Sequence, residues 1–129
     1  MHRIPWLLLL LACAVLVLPG SPAGAASKCS VSPVTGKLKK ALRQAHKRAL
    51  MGAQQSFTGP TKVKVGRCGA KRYAIGTFDT EGVGTTDQPQ RFTRRTGRRW
   101  KDVGDTGDPL CEAPIPQVLV RKWGFDCPA

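Results

Sequence analysis

A small α+β fold is what this sequence predicts: one N-terminal helix packed on a four-stranded antiparallel sheet, with a short C-terminal helix and two disulfides. Three observations carry the expectation. Apolar residues between Val34 and Ala49 recur at helical spacing, β-forming runs between Thr61 and Val103 are separated by glycine turns, and the cysteines outside the leader are even in number.

The chain opens with "MHRIPWLLLLLACAVLVLPGSPAGAAS", in which Arg3 precedes an apolar run and Ala23-Gly24-Ala25 forms a small-residue site. This is the pattern of a secretory signal peptide over residues 1–26. The run from Leu7 to Leu18 is twelve residues, short of the roughly 20 that a membrane-spanning helix needs. Leu10-Leu11-Ala12-Cys13 spells a lipid-attachment box, but the apolar run continues past Cys13 where a polar tether is required. Cleavage after Ala25 or Ala26 is expected, leaving residues 27–129 as one small extracellular domain.

A domain of this size buries only about two-thirds of the surface its unfolded chain exposes, so covalent closure contributes materially. Removing Cys13 with the leader leaves Cys29, Cys68, Cys111 and Cys127. In an exported chain these read as two disulfides. Three pairings are possible; Cys29 with Cys68 and Cys111 with Cys127 is the expected one, because each bridge then ties a terminal segment to the body. Each closed loop is worth about 3 to 4 kcal/mol in the chain-entropy treatment. Zinc is the weaker reading, since no Cys-x-x-Cys pair occurs and His46 is the only histidine beyond the leader.

Along the chain, "VTGKLKKALRQAHKRALMG" places Val34, Leu38, Ala41, Leu42, Ala45 and Ala49 on one helical stripe. Ser32 or Thr35 is placed to open this helix and Gly52 to close it. Lys37, Lys39, Lys40, Arg43, Lys47 and Arg48 crowd the remaining face. Because half of the stripe is alanine, packing on a sheet is favoured over insertion into lipid. "QQSFTGP" reads as a loop, and strands are expected near 61–67 and 71–79 with Cys68 by their turn. "TEGVGTTDQPQ" reads as an exposed loop.

Strands near 90–95 and 98–103 enclose "RFTRRTGRRW". A three-residue turn Arg95-Thr96-Gly97, with glycine in the left-handed position, sets Phe92 opposite Trp100 and Thr93 opposite Arg99. The aromatics then serve the core rather than stack on nucleic-acid bases. "DVGDTGDPLCEAP" reads as a turn-rich acidic loop. "IPQVLVRKWGFDC" reads as a short helix with Pro116 in its first turn, Gly124 at its end, and Val118, Leu119, Lys122 and Trp123 at helical spacing.

The catalytic sets considered do not assemble. Asp105-Thr106-Gly107 spells the aspartic-protease tripeptide, yet Asp108-Pro109 follows at once and suggests a turn. His46 sits in a lysine-rich helix and reads as a boundary residue, and disulfides consume the thiols, so no base–nucleophile pair stands out. Glu81 or Glu112 with His46 would supply a nuclease's acid and base on paper, but nothing in their spacing selects them. Asp102, Asp105 and Asp108 recur every third residue without the glutamate of a calcium loop, and turn formation explains them better. No metal and no cofactor is expected.

"RCGAKRYAIGTF", "RFTRRTGRRWKDVGDTGDPLC" and "IPQVLVRKWGFDC", with the leader and the basic helix, resemble a loose group of small secreted proteins of actinobacteria. The resemblance spans nearly the whole exported chain. It implies export and a single α+β domain.

Charge points to the function class. From Ser27 to Arg72 there are twelve Lys and Arg and no acid, while from Tyr73 onward eight basic residues balance eight acids. Such a field attracts anionic partners and weakens with salt. The leading expectation is therefore a non-enzymatic binding protein for an anionic extracellular partner: an acidic protein, a cell-wall polymer, nucleic acid or an anionic membrane surface. The residues expected to carry it are Lys37, Lys40, Arg43, Lys47, Arg94, Arg95, Arg98 and Arg99. A small extracellular hydrolase and an inhibitory or structural module are the alternatives.

Overall fold

The computed structural model describes residues 28–51, 55–82, 88–105 and 110–128, and the main chain of 84–85. The expected leader over 1–26, the expected helix stop at Gly52 and the 106–109 part of the expected acidic loop lie outside these residues. The elements, in order, are β1 (Cys29–Val31), α1 (Gly36–Ala49), β2 (Phe57–Cys68), β3 (Lys71–Thr80), β4 (Gly84–Thr85), β5 (Gln90–Arg95), β6 (Lys101–Asp105) and α2 (Gln117–Lys122).

The class is α+β with an antiparallel sheet, as the sequence indicates, but the sheet is larger than four strands. Its path runs β1-β2-β3-β5-β6, and β4 pairs with β3 beside that path. β1 arises in the lead before the helix because Cys29 lies directly opposite Cys68 and is bonded to it. β2 begins within the stretch expected to be a loop. It reaches back to Phe57 by absorbing two irregularities, between Thr58 and Thr61 and between Thr61 and Lys64. Gly59 (φ 114°) and Lys62 (φ 50°) supply the left-handed backbone that such bulges use. β4 likewise falls within a segment expected to be an exposed loop.

Thr35 opens α1, its hydroxyl accepting from the Leu38 amide at 3.1 Å. Because the helix starts only at Gly36, Val34 falls outside it and is exposed, and Ala49 also faces solvent. The buried stripe is Leu38, Leu42, Ala45 and His46. With Phe57, Val65, Ala74, Phe78, Phe92 and Trp100 it forms one core on the first face of the sheet.

The second face is also covered. Tyr73, Ile75 and Cys68 pack against Ile115, Leu119, Val120, Trp123 and Cys111. The molecule is thus three layers, with α1 and α2 on opposite sides of the sheet. β3 carries both cores: every residue from Tyr73 to Phe78 is buried, which is why "YAIGTF" reads as a run of β-formers rather than a strict alternation. α2 begins after Pro116, which caps the helix rather than entering it. Leu119 and Trp123 of the expected stripe are buried, whereas Val120 takes the inward place and Val118 and Lys122 face solvent. The Trp123 indole donates to the Val65 carbonyl at 3.2 Å, and Cys111 is bonded to Cys127. Both disulfides have the expected pairing.

The β5–β6 hairpin differs in register from the expectation. Phe92 lies opposite Asp102 and Thr93 opposite Lys101, so the connection runs from Thr96 to Trp100. Gly97 is left-handed (φ 73°) as its turn demands, and the Arg98 amide closes that turn on the Arg95 carbonyl. The longer loop lets Trp100 leave the strand while both aromatics still enter the α1-side core.

Candidate functional site

Hairpin geometry assembles a row of charge. In register, Arg67 of β2 lies opposite Arg72 of β3, and Arg72 lies opposite Arg94 of β5. Alternation puts all three on the α1 side, because their neighbours two residues away, Val65, Ala74 and Phe92, form the next row and pack under α1. Like charges directly opposite in a sheet destabilise it by about 0.2 to 1 kcal/mol per pair. Burial, then Arg94, then Arg67, hold the Arg72 guanidinium below its ordinary pKa.

Beside this row lies a cleft of about 370 Å³ between α1 and the β5–β6 hairpin, lined by Lys37, Arg48, Arg72, Arg94, Arg98 and Arg99 together with Thr35, Leu38, Ala41, Gln44 and Trp100. Lys37, Ala41, Gln44 and Arg48 form one helical stripe beside the buried one. Several cations are oriented by the fold. Arg48 donates to the Trp100 carbonyl at 3.0 Å, and Arg94 donates through Nε to the Arg98 carbonyl at 2.7 Å. The Arg72 guanidinium lies 5.5 Å from the centroid of the Trp100 ring. Among the described residues, none of these six cations has a carboxylate within ion-pair distance.

The residues expected to bind fall into three groups. Lys37, Arg94, Arg98 and Arg99 meet at the cleft. Lys40, Lys47 and Arg95 are exposed but do not line it. Arg43 has a structural task, donating to the carbonyls of Phe57 at 2.9 Å and Gly59 at 3.1 Å and lying 4.6 Å from the Phe57 ring centroid. It ties α1 to the bulged start of β2. Arg48, Arg67 and Arg72 are additions to the expected set. The Cys68-Gly69 turn already implied that Arg67 and Arg72 face each other, whereas Arg94 joins them only through long-range pairing.

His46 is buried rather than at a boundary. Its Nδ1 lies 2.7 Å from Asp102 Oδ2, with side-chain exposures of 8% and 3%, and Asp102 Oδ1 accepts from the Gly104 amide at 2.8 Å. The imidazole stacks on Phe78 (centroids 4.1 Å, 19° between planes) and meets Phe57 edge-on at 4.9 Å. The pair joins α1 to β6 across the core, and His46 does not line the cleft. Asp102 is therefore both a turn former and the partner of a buried histidine. Among the described residues no cluster of three His, Cys, Asp or Glu has metal-binding geometry, and the four cysteines are engaged in disulfides.

No family model, no curated protein and no solved structure matches the chain.

Proposed function

We propose that this chain is a secreted, non-enzymatic binding protein whose basic cleft takes an anionic extracellular partner. The observation that carries the reading is the convergence of Lys37, Arg48, Arg72, Arg94, Arg98 and Arg99 on one cleft without a neutralising acid among the described residues. A fold that merely needed charge for solubility would gain by spreading these cations apart, since their proximity costs stability. Two disulfides accord with an oxidising compartment, and no described helix is long and apolar enough to cross a membrane. The engagement of His46 with Asp102 and two phenylalanines weighs against the hydrolase alternative.

The test is binding of the oxidised protein to polyanions across a salt series, alongside a Lys37→Glu/Arg98→Glu variant. Affinity is expected to fall steeply with salt and by at least about tenfold in the variant, because reversing a cation replaces attraction by repulsion. Lys64→Glu, an exposed site on β2 outside the cleft, should change binding little. A loss in Lys64→Glu that matches the double variant's loss per charge reversed would reduce the effect to net charge and reject the cleft.

A further inference from the structure

We propose that the cleft is a phosphoryl-binding site, taking a phosphate monoester or pyrophosphoryl group through the forks of Arg48, Arg72 and Arg94. This rests on the reading of the cleft as an anion site and narrows its ligand chemistry.

Three observations support the choice. The cations are mostly guanidinium groups, and Arg48 and Arg94 are each fixed by one bond to a backbone carbonyl. Their remaining N–H groups are presented in set directions, while Arg72 is held against Trp100. A planar carboxylate is satisfied by a single arginine fork. A tetrahedral phosphoryl group presents three terminal oxygens and about −1.5 to −2 charge, so it can accept from several forks at once.

The second observation is the unrelieved row Arg67-Arg72-Arg94. A multiply charged anion beside it offsets the repulsion among these three cations, and binding is strengthened accordingly. Leu38 and Trp100, both buried, form an apolar floor that limits screening by water.

The third concerns what the cleft does not offer. Trp100 is only 5% exposed and has Arg72 over its ring. It gives no free face for a nucleobase, so recognition is confined to the oxyanion. The cleft volume, about 370 Å³, lies near the lower end for small-ligand sites and suits a compact group.

The experiment measures thermal stabilisation and binding of the oxidised protein with inorganic pyrophosphate, and with citrate as a carboxylate anion of similar charge, at matched ionic strength. Pyrophosphate is expected to bind at least about tenfold more tightly than citrate, the difference made by roughly one charge-assisted hydrogen bond. Arg72→Gln should lose about tenfold in pyrophosphate affinity. Arg94→Lys keeps the charge and removes the fork, and should lose most of the preference over citrate while some anion affinity remains. It serves as the second variant should Arg72→Gln fold poorly after losing its contact with Trp100.

Equal binding of pyrophosphate and citrate would overturn the phosphoryl assignment and leave the anion-binding reading standing. Binding of neither, with no response to longer polyanions, would remove both. A phosphoryl preference indifferent to both variants would also overturn the proposal, because the site would lie elsewhere. Phosphatidylcholine vesicles doped with phosphatidic acid separate the sources. Vesicle binding displaced by pyrophosphate identifies a lipid headgroup; pyrophosphate binding without vesicle binding identifies a soluble phosphate. Either result supports the phosphoryl assignment.

Discussion

Replacing His46 by alanine removes three things at once: the hydrogen bond to Asp102 at 2.7 Å, the stack on Phe78, and the volume that fills the core between Phe57 and Phe78. Removing the partner of a buried carboxylate costs about 3 to 5 kcal/mol, largely because the carboxylate stays behind without compensation. The stranded group here is the Asp102 carboxylate, 3% exposed and retaining, among the described residues, the Gly104 amide. An expected loss of about 4 kcal/mol is a large share of the 5 to 15 kcal/mol typical of a whole domain. Asp102→Ala should cost less, about 1 to 3 kcal/mol, because an unpaired ring nitrogen is cheaper to bury than an unpaired carboxylate.

In the double variant no carboxylate is stranded, so its loss should fall short of the sum of the single losses by about 2 kcal/mol. Urea unfolding of the oxidised proteins, followed by far-ultraviolet circular dichroism, measures all three changes. Additivity within about 0.5 kcal/mol would refute the pair as a coupled bridge between α1 and β6. A His46→Ala loss below about 1 kcal/mol would refute its burial in the core.

Two further outcomes test the second face of the sheet. At Gly66 an added Cβ would collide with the Leu119 side chain and approach the Ser30 carbonyl to 2.7 Å. Gly66→Ala should therefore destabilise by about 1 to 3 kcal/mol in urea, and a neutral result would mean that α2 does not sit tightly over β1 and β2. Burial raises the Tyr73 phenol above its ordinary value of about 10. The unfolded chain then releases this proton first, so the folded state loses stability as pH rises from about 10. Thermal melts between about pH 9 and pH 11 should show that decline, and Tyr73→Phe should make it shallower. An unchanged slope in the variant would assign the decline to other groups.

Much of the fold was legible because its signals are local. The helical stripe around Leu38, Leu42 and Ala45 depends only on spacing, and Thr35 and Gly97 act within their own turns. The departures arise where distant chain decides. β1 exists as a strand because Cys68 and its neighbours offer a ladder, and Phe57 joins β2 only because bulges at Gly59 and Lys62 absorb the surplus residues. His46 occupies an apolar stripe because Asp102, 56 residues away, places a carboxylate oxygen 2.7 Å from its Nδ1. No local pattern announces such a partner.

The candidate site divides in the same way. Composition and order alone determined that this chain carries twelve Lys and Arg and no acid from Ser27 to Arg72, four cysteines after residue 27, and a cluster of arginines in "RFTRRTGRRW". These are properties of residues in sequence, insensitive to how the chain folds. Only the tertiary structure decided which cations act together, because pairing register is a long-range property. It brings Arg67, Arg72 and Arg94 from three strands into one row and turns Lys37 and Arg48 toward it, while committing Arg43 to the bulged strand. The strand pairings that set this row are stabilised by burial of Val65, Ala74 and Phe92 in the adjacent row, so apolar packing determines where the charges meet.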